Sequence, residues 1–293
     1  MAEAKTKPDL VYHYCDTAAF MSIVANERIW CTSAEFMNDT LDCHIFDDII
    51  GQWVDKNAAL GKQAKEKIRG TYLTRHYRFI PFVACFSFGK DLLSQWRGYA
   101  DDGRGFAIGF DKKELSAFFR NLKNDDVKNG ISTTIGAKNV IYNNSNIESK
   151  VHAQLNKLRD EPGKDATAVE RQKTNDHNYS ILAQLKIDSA FYKQKTFSEE
   201  KEFRLAVLSD YINFPDGSIS SHVISSLKFR RSPANLIVSY YEVFFPKPKE
   251  ILIGPKNGST IEQIYFFLNN SKHAGKWKKF EEREIRKSVL TLR

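Results

Sequence analysis

The sequence predicts an α+β fold, and three features predict it. Short runs of β-branched and aromatic residues recur from end to end, amphipathic stretches with helical spacing stand between them, and neither internal repeats nor coiled-coil heptads occur. At 293 residues the chain exceeds the usual single-domain size, yet folds of mixed class reach this length as one unit. We therefore expect one domain over residues 1–293, with a helical insertion at about 143–195. Hydrophobic residues at 42% and charged residues at 27% exclude a disordered chain, and 21 Phe with 12 Tyr predict an aromatic-rich core.

The elements follow in order. Leu10–Tyr14 is short, apolar and rich in β-formers, and reads as a strand. Asp16–Glu27 opens on a capping residue and places Phe20, Ile23 and Val24 on one helical face. Arg28–Thr32 reads as a second strand, and Lys56–Arg69 as a polar helix with little to bury. Phe79–Phe88 is a continuous aromatic and β-branched run, the pattern of a strand buried on both faces. A helical turn over Asp91–Gly98 precedes a strand over Gly105–Phe110 and a helix over Asp111–Leu122 spaced by Leu115, Phe118, Phe119 and Leu122. Residues from Asn143 to Asp176 are polar, with a Pro162-Gly163 break, and read as weak surface helices. A firmer helix over Ile181–Tyr192 leads to a strand over Glu202–Leu208. In the last third, Leu236–Phe245, Glu250–Ile253 and Ser288–Leu292 read as strands, with a helix over Ile261–Asn269.

Bulk chemistry narrows the function classes. The N-terminal decapeptide lacks an apolar core and a small-residue cleavage site, so no secretory signal is expected. Phe79–Phe88 and Leu236–Phe245 are too short for a bilayer, which takes roughly 20 residues, so we expect no membrane span and a cytoplasmic location. Cys15, Cys31, Cys43 and Cys85 follow no zinc-ligand spacing, and Cys43 beside His44 offers only two neighbouring ligands, so reduced thiols and no metal are expected. The net charge is +8, concentrated in Lys272–Arg293 (eight Lys/Arg against three Glu) and in the knot Lys228-Phe229-Arg230-Arg231. Such charge suits polyanions, whether nucleic acid, phosphorylated cofactors or an acidic protein target, or is simply a solvated face.

Four constellations carry possible chemistry. Strand alternation puts Tyr12 and Tyr14 on one face and His13 on the other, where the histidine serves either a ribose hydroxyl or the core. Phe36-Met37-Asn38-Asp39 is either a turn or a ligand-facing loop. Cys85-Phe86-Ser87 is followed by Trp96-Arg97-Gly98-Tyr99, dense in groups that stack on rings and grip phosphates. Glu200, Glu202 and Arg204 share one strand face opposite Phe203 and Leu205, either as a solvent-exposed edge or as a carboxylate held by an arginine. Neither phosphate-loop glycine motif occurs, Ser87 stands in no nucleophile elbow, and the helical metal-hydrolase motif is missing from the sequence.

Taken in chain order, Tyr12-His13-Tyr14, Phe36-Met37-Asn38-Asp39, Cys85-Phe86-Ser87, Trp96 to Ala100, Gly105–Phe110 and Glu200 to Leu205 resemble a bacterial family of domains of unknown function. Its members read YHY, FND, CFS, W, YA and ExEwR in that sequence. This chain departs at Thr40, where a proline often follows FND, and at Phe203, where tryptophan is usual. Ile251–Pro255 and Arg286–Ser288 also fit, so the resemblance covers nearly the whole chain. That family in turn is similar in layout to ADP-ribosyltransferase-like enzymes, which pair an early strand histidine with a late Glu-x-Glu.

The resemblance implies a bent or split, mostly antiparallel sheet with helices. It implies an ADP-ribosyltransferase or NAD glycohydrolase of the toxin or phage-defence kind, with NAD as substrate and no metal. It places Glu202 as catalytic carboxylate, Glu200 as the group that orients the acceptor, and His13 on the NAD ribose. Tyr99 or Trp96 stacks on a ring, and Tyr12, Tyr14, Ser87, Arg97 and Arg204 complete the cofactor-binding set. The rival from another class is a non-catalytic module that binds nucleic acid or a partner through the basic C-terminal face.

Overall fold

The computed structural model describes residues 9–37, 44–58, 60–70, 81–128, 133–142, 145–160, 162–209, 227–231, 235–270 and 280–291. Among them the strands are β1 (Leu10–Cys15), β2 (Arg28–Ser33), β3 (Pro81–Ser87), β4 (Phe106–Asp111), β5 (Thr133–Asn139), β6 (Glu202–Ser209), β7 (Leu227–Arg231), β8 (Ile237–Phe244), β9 (Glu250–Ile253) and β10 (Ile285–Lys287). The helices are α1 (Thr17–Asn26), α2 (Asp47–Lys56), α3 (Lys62–Ile68), α4 (Leu93–Tyr99), α5 (Lys112–Lys128), α6 (Ile147–Leu155), α7 (Ala168–Ser189) and α8 (Ile261–Asn270). No helix of the described residues is long and apolar enough to cross a membrane.

All ten strands belong to one sheet, ordered β10-β9-β4-β1-β3-β2-β8-β7, with β6 on β3 and β5 on β6. Every pairing is antiparallel except β9 with β10. The α+β expectation therefore holds, with an open and mostly antiparallel sheet.

Alternation along the strands separates two apolar layers. Val11, Phe86, Phe106, Ile108, Phe110, Phe203 and Leu205 face one side, where they meet Phe20 and Val24 of α1, Leu115 and Phe119 of α5 and Leu268 of α8. Val83, Ala206 and Leu208 face the other, under Ile50 and Val54 of α2, Val151 and Leu155 of α6 and Leu182 and Leu185 of α7. A third cluster on that second side packs Tyr12 and Tyr14 against Trp96 of α4. The core is aromatic-rich as expected: Phe20 stacks on Phe106 with centroids 4.0 Å apart, and Phe86 touches Phe110, Phe203 and Phe245.

Local chemistry sets the element ends. Asp16 Oδ1 accepts the Ala19 N–H at 2.7 Å and starts α1. Thr167 and Glu170 form a reciprocal capping box that starts α7.

Several expectations need correction. The helix expected over Lys56–Arg69 is the shorter α3, Lys62–Ile68, and α2, Asp47–Lys56, precedes it where no helix was expected. Strand β5 was not expected, because Thr-Thr-Ile-Gly-Ala-Lys-Asn offers almost no apolar alternation and gains its order from pairing along β6. Leu227–Arg231 reads as a basic knot yet forms β7 beside β8. The last strand is Ile285–Lys287, before the expected Ser288–Leu292. The insertion is more than a surface excursion, since α6 buries Val151 and Leu155 and the second half of α7 fills the second layer.

Candidate functional site

Strand β3 organises the site. One edge of it is taken by β6 from Pro81 to Ser87. The opposite edge is shared: β1 pairs with it at Ser87, and β2 at Phe82 and Val83. No pairing joins β1 to β2 among the described residues, so the sheet parts between them beside Cys85. A backbone carbonyl beside such a gap takes a donor from a side chain. His13 supplies it, its Nδ1 lying 3.0 Å from the Cys85 carbonyl oxygen. A carbonyl only accepts, so Nδ1 carries the hydrogen and Nε2 presents a lone pair. Burial pushes the His13 pKa below its ordinary value and outweighs the opposing bond to Cys85, so the ring is neutral near pH 7.

The gap opens into a cleft of about 570 Å³. Its walls are His13 and Tyr14 of β1, Ala19 and Ile23 of α1, Trp30 and Thr32 of β2, Tyr99 of α4, and Arg230 and Arg231 of β7. That volume lies within the range of small-molecule sites. Trp30 is fixed on one side by Tyr240, with centroids 4.7 Å apart, and its Nε1 donates to Glu242 Oε1 at 3.3 Å. The Arg230 guanidinium lies 5.4 Å from the Trp30 ring centre.

Behind Tyr99 stands a buried ionic network. The Tyr99 hydroxyl donates to Glu200 Oε1 at 3.1 Å, and Lys193 Nζ donates to Glu200 Oε2 at 2.6 Å. Lys193 also lies 3.5 Å from Glu202 Oε2, which accepts from Arg204 Nε at 3.0 Å and Nη2 at 2.7 Å. Arg204 Nη1 is satisfied by the Ala190 carbonyl at 2.9 Å. Burial alone would pull the Lys193 pKa down, but the Glu202 and Glu200 carboxylates outweigh it and the net shift is upward. Burial, with Glu200 next in size, raises the Tyr99 pKa well above its ordinary value, so the phenol stays protonated.

The reading of Glu200, Glu202 and Arg204 as a solvent-exposed edge is overturned. β6 is an interior strand between β3 and β5, and Glu202 and Arg204 are 5% and 0% exposed.

The other candidates divide by what they touch. Tyr12 is buried and donates to Glu250 Oε2 at 2.9 Å, away from the cleft. Tyr14 borders the cleft but its hydroxyl is engaged, donating to the Gly89 carbonyl and accepting from the Asp91 and Leu92 N–H groups. Ser87 Oγ donates to the Glu200 carbonyl at 2.6 Å and accepts the Gly89 N–H, holding the turn before β6 against β3. Trp96 is wholly buried with its Nε1 bonded to Asp91, so it cannot stack on a ligand ring; Tyr99, 37% exposed, can. Arg97 is exposed and borders no part of the cleft.

Asn38, Asp39 and Cys43 lie outside the described residues, as do positions 271–279 and 292–293 of the basic C-terminal segment. Among the described residues no group of three or more His, Cys, Asp or Glu is placed to hold a metal ion. Burial pushes the Cys31 thiol up to about 12 and raises Cys15 as well, so neither is a thiolate nucleophile.

Sequence reasoning missed Thr32, Trp30 and Arg230 as cleft residues. The only signals were the isolated Trp30 after an apolar residue and the basic knot around Arg230, neither of which carries a motif.

Residues 95–205 match the model of a family described as "Protein of unknown function (DUF2971)". The matched segment runs from α4 into β6 and so holds Tyr99, Lys193, Glu200, Glu202 and Arg204, while β1 and its His13 lie before it. No curated protein and no solved structure matches the chain.

Proposed function

We propose that the cleft between β1 and β2 binds NAD and that the protein is an NAD-using ADP-ribosyltransferase or NAD glycohydrolase. The observation that carries this reading is the Tyr99–Glu200 hydrogen bond, which ties a buried carboxylate to the wall of a cleft that His13 also borders. The likeness in layout to ADP-ribosyltransferase-like enzymes supports the same reading, as does a sheet that parts along one edge of β3.

In such a reaction the bond from nicotinamide to the ribose C1′ breaks with its electron pair leaving on nicotinamide. An acceptor oxygen or a water then bonds to C1′ and loses its proton. The ribose passes through a cation-like state that a nearby carboxylate stabilises. Glu200 suits that role better than Glu202: Lys193 reaches both, but Glu200 Oε1 is bonded to the cleft wall through Tyr99 whereas Glu202 Oε2 is gripped by Arg204 at two points. Tyr99, a neutral phenol donating to Glu200, keeps a lone pair for a ribose hydroxyl. His13 Nε2 accepts from another.

The test is NAD consumption by the wild type, Glu200→Gln and Tyr99→Phe, with circular dichroism confirming the fold of each. Glu200→Gln should lower turnover by roughly 10²–10⁴-fold, the usual contribution of such a group. Wild-type protein that consumes no NAD, alone or with candidate acceptors, rejects the enzymatic reading, as does normal turnover by Glu200→Gln.

A further inference from the structure

The wing formed by β2, β8 and β7 contributes to the cleft one group that the proposed reaction leaves unused. Arg230 Nε is buried and has no hydrogen-bond partner among the described residues. Its neighbours on that wing are ion-paired: Arg28 and Lys228 converge on Glu242 Oε2 at 3.0 and 2.7 Å. Glu242 is held below the ordinary carboxylate range because those two cations outweigh its burial. No carboxylate stands against Arg230 among the described residues. Its guanidinium lies over the ring of Trp30, which Tyr240 and Glu242 hold in place. A buried Nε–H without an acceptor is rare in a folded protein, and the half-buried guanidinium that carries it borders the cleft, which points to an acceptor that arrives from outside.

We propose that Arg230, held over the Trp30 ring, is the oxyanion-binding group of the cleft and takes a phosphate of a small nucleotide, with Arg231 beside it as a second positive charge. The proposal rests on the nucleotide reading of the cleft and adds which residue recognises phosphate. The planar fork of a guanidinium matches phosphate oxygens two at a time, which an ammonium cannot do. Its place over a fixed indole, with Nε already buried, limits the rotamer freedom that an exposed arginine would lose on binding. Asp16 also borders the cleft, but its Oδ1 accepts the Ala19 N–H and caps α1. A nucleic-acid backbone offers the same phosphate chemistry, yet a cleft of about 570 Å³ is the size of a small ligand site.

Calorimetric titration of the full chain with ADP-ribose, AMP and adenosine tests the proposal, with a single-stranded oligonucleotide as the competing source of phosphate. The wild type should bind ADP-ribose at least about tenfold more tightly than adenosine. Arg230→Gln should weaken ADP-ribose roughly 10–100-fold and leave adenosine nearly unchanged, the loss expected for a charge-assisted bond. Arg230→Lys should recover only part of the loss. Trp30→Leu should weaken ADP-ribose while leaving residual phosphate dependence, the signature of a positioning residue. Equal binding of ADP-ribose by wild type and Arg230→Gln overturns the proposal. So does equal affinity for adenosine and ADP-ribose, binding confined to the oligonucleotide, or absence of binding by every phosphate-bearing ligand. Arg230-dependent ADP-ribose binding without NAD turnover rejects the enzymatic reading alone. NAD turnover with a KM that Arg230→Gln leaves unchanged rejects this inference alone.

Discussion

His13 illustrates how one side chain joins fold and site. Its Nδ1 hydrogen closes the Cys85 carbonyl where the sheet parts, so the ring is both a patch on the backbone and a wall of the cleft. Because burial depresses its folded pKa below the unfolded value of 6.5, the unfolded chain takes up the proton more readily. His13 therefore contributes stability that is present above pH 6.5 and is lost as pH falls through the folded pKa. Melting temperatures recorded downward from neutral pH should decline below that point, and His13→Gln should flatten that part of the curve. A decline of unchanged size in His13→Gln would assign the acid sensitivity to other groups. The Tyr12-His13-Tyr14 motif was legible because strand alternation is local: it correctly put His13 opposite the tyrosines. What each tyrosine bonds, Glu250 in one case and the Gly89 turn in the other, depends on partners 75 or more residues away and left no mark in the sequence.

At the scale of the element, β6 shows why a charged strand was misread. Glu200-x-Glu202-x-Arg204 has the alternation of a solvent-facing strand, and periodicity cannot say whether the polar face meets water or α7. The structure answers with an interior strand whose arginine is bonded to the Ala190 carbonyl just after α7 and whose glutamate is bonded to that arginine. An exposed Glu→Gln exchange would change stability by less than about 0.5 kcal/mol. Glu202→Gln should instead cost on the order of 3 kcal/mol, because it leaves the Arg204 charge buried against a weaker acceptor. Urea denaturation measures this. In Glu202→Gln combined with Arg204→Met the total cost should fall short of the sum of the single costs, since neither charge is then left alone. Additive costs would show that the pair is not coupled. The glycines of the Gly105–Phe110 and Ile251–Pro255 motifs were legible in the sequence, but not their purpose. At Gly109 an added Cβ would lie 2.9 Å from the Tyr12 ring, and at Gly254 it would strike the Gly103 carbonyl, so these glycines let β1, β4 and β9 close over one another.

For the whole molecule, the sheet's parting is what separates a core from a site. Strands β4, β9 and β10 follow β1 to one side of the gap, and β8 and β7 follow β2 to the other, while β3 joins the two. Such a topology cannot be read from element order, because it is set by which short segment of β3 each strand meets. Net charge, by contrast, was legible at once, and at +8 it acts on every polyanion regardless of the cleft. The two effects differ in their response to salt. Association of nucleic acid with a basic surface releases a condensed counterion for each phosphate neutralised, so its affinity falls steeply as salt rises. A mononucleotide or ADP-ribose carries no such condensed atmosphere, and its affinity through Arg230 should vary far less. Filter binding of single-stranded DNA and calorimetry of ADP-ribose, each between about 50 and 200 mM salt, should therefore give a large logarithmic slope for DNA and a small one for ADP-ribose. Arg230→Gln should reduce the ADP-ribose affinity and change the DNA slope by no more than about one, the share of a single phosphate contact. If Arg230→Gln instead abolishes DNA binding and spares ADP-ribose, the cleft serves the polymer, and the binding-module reading replaces the enzymatic one.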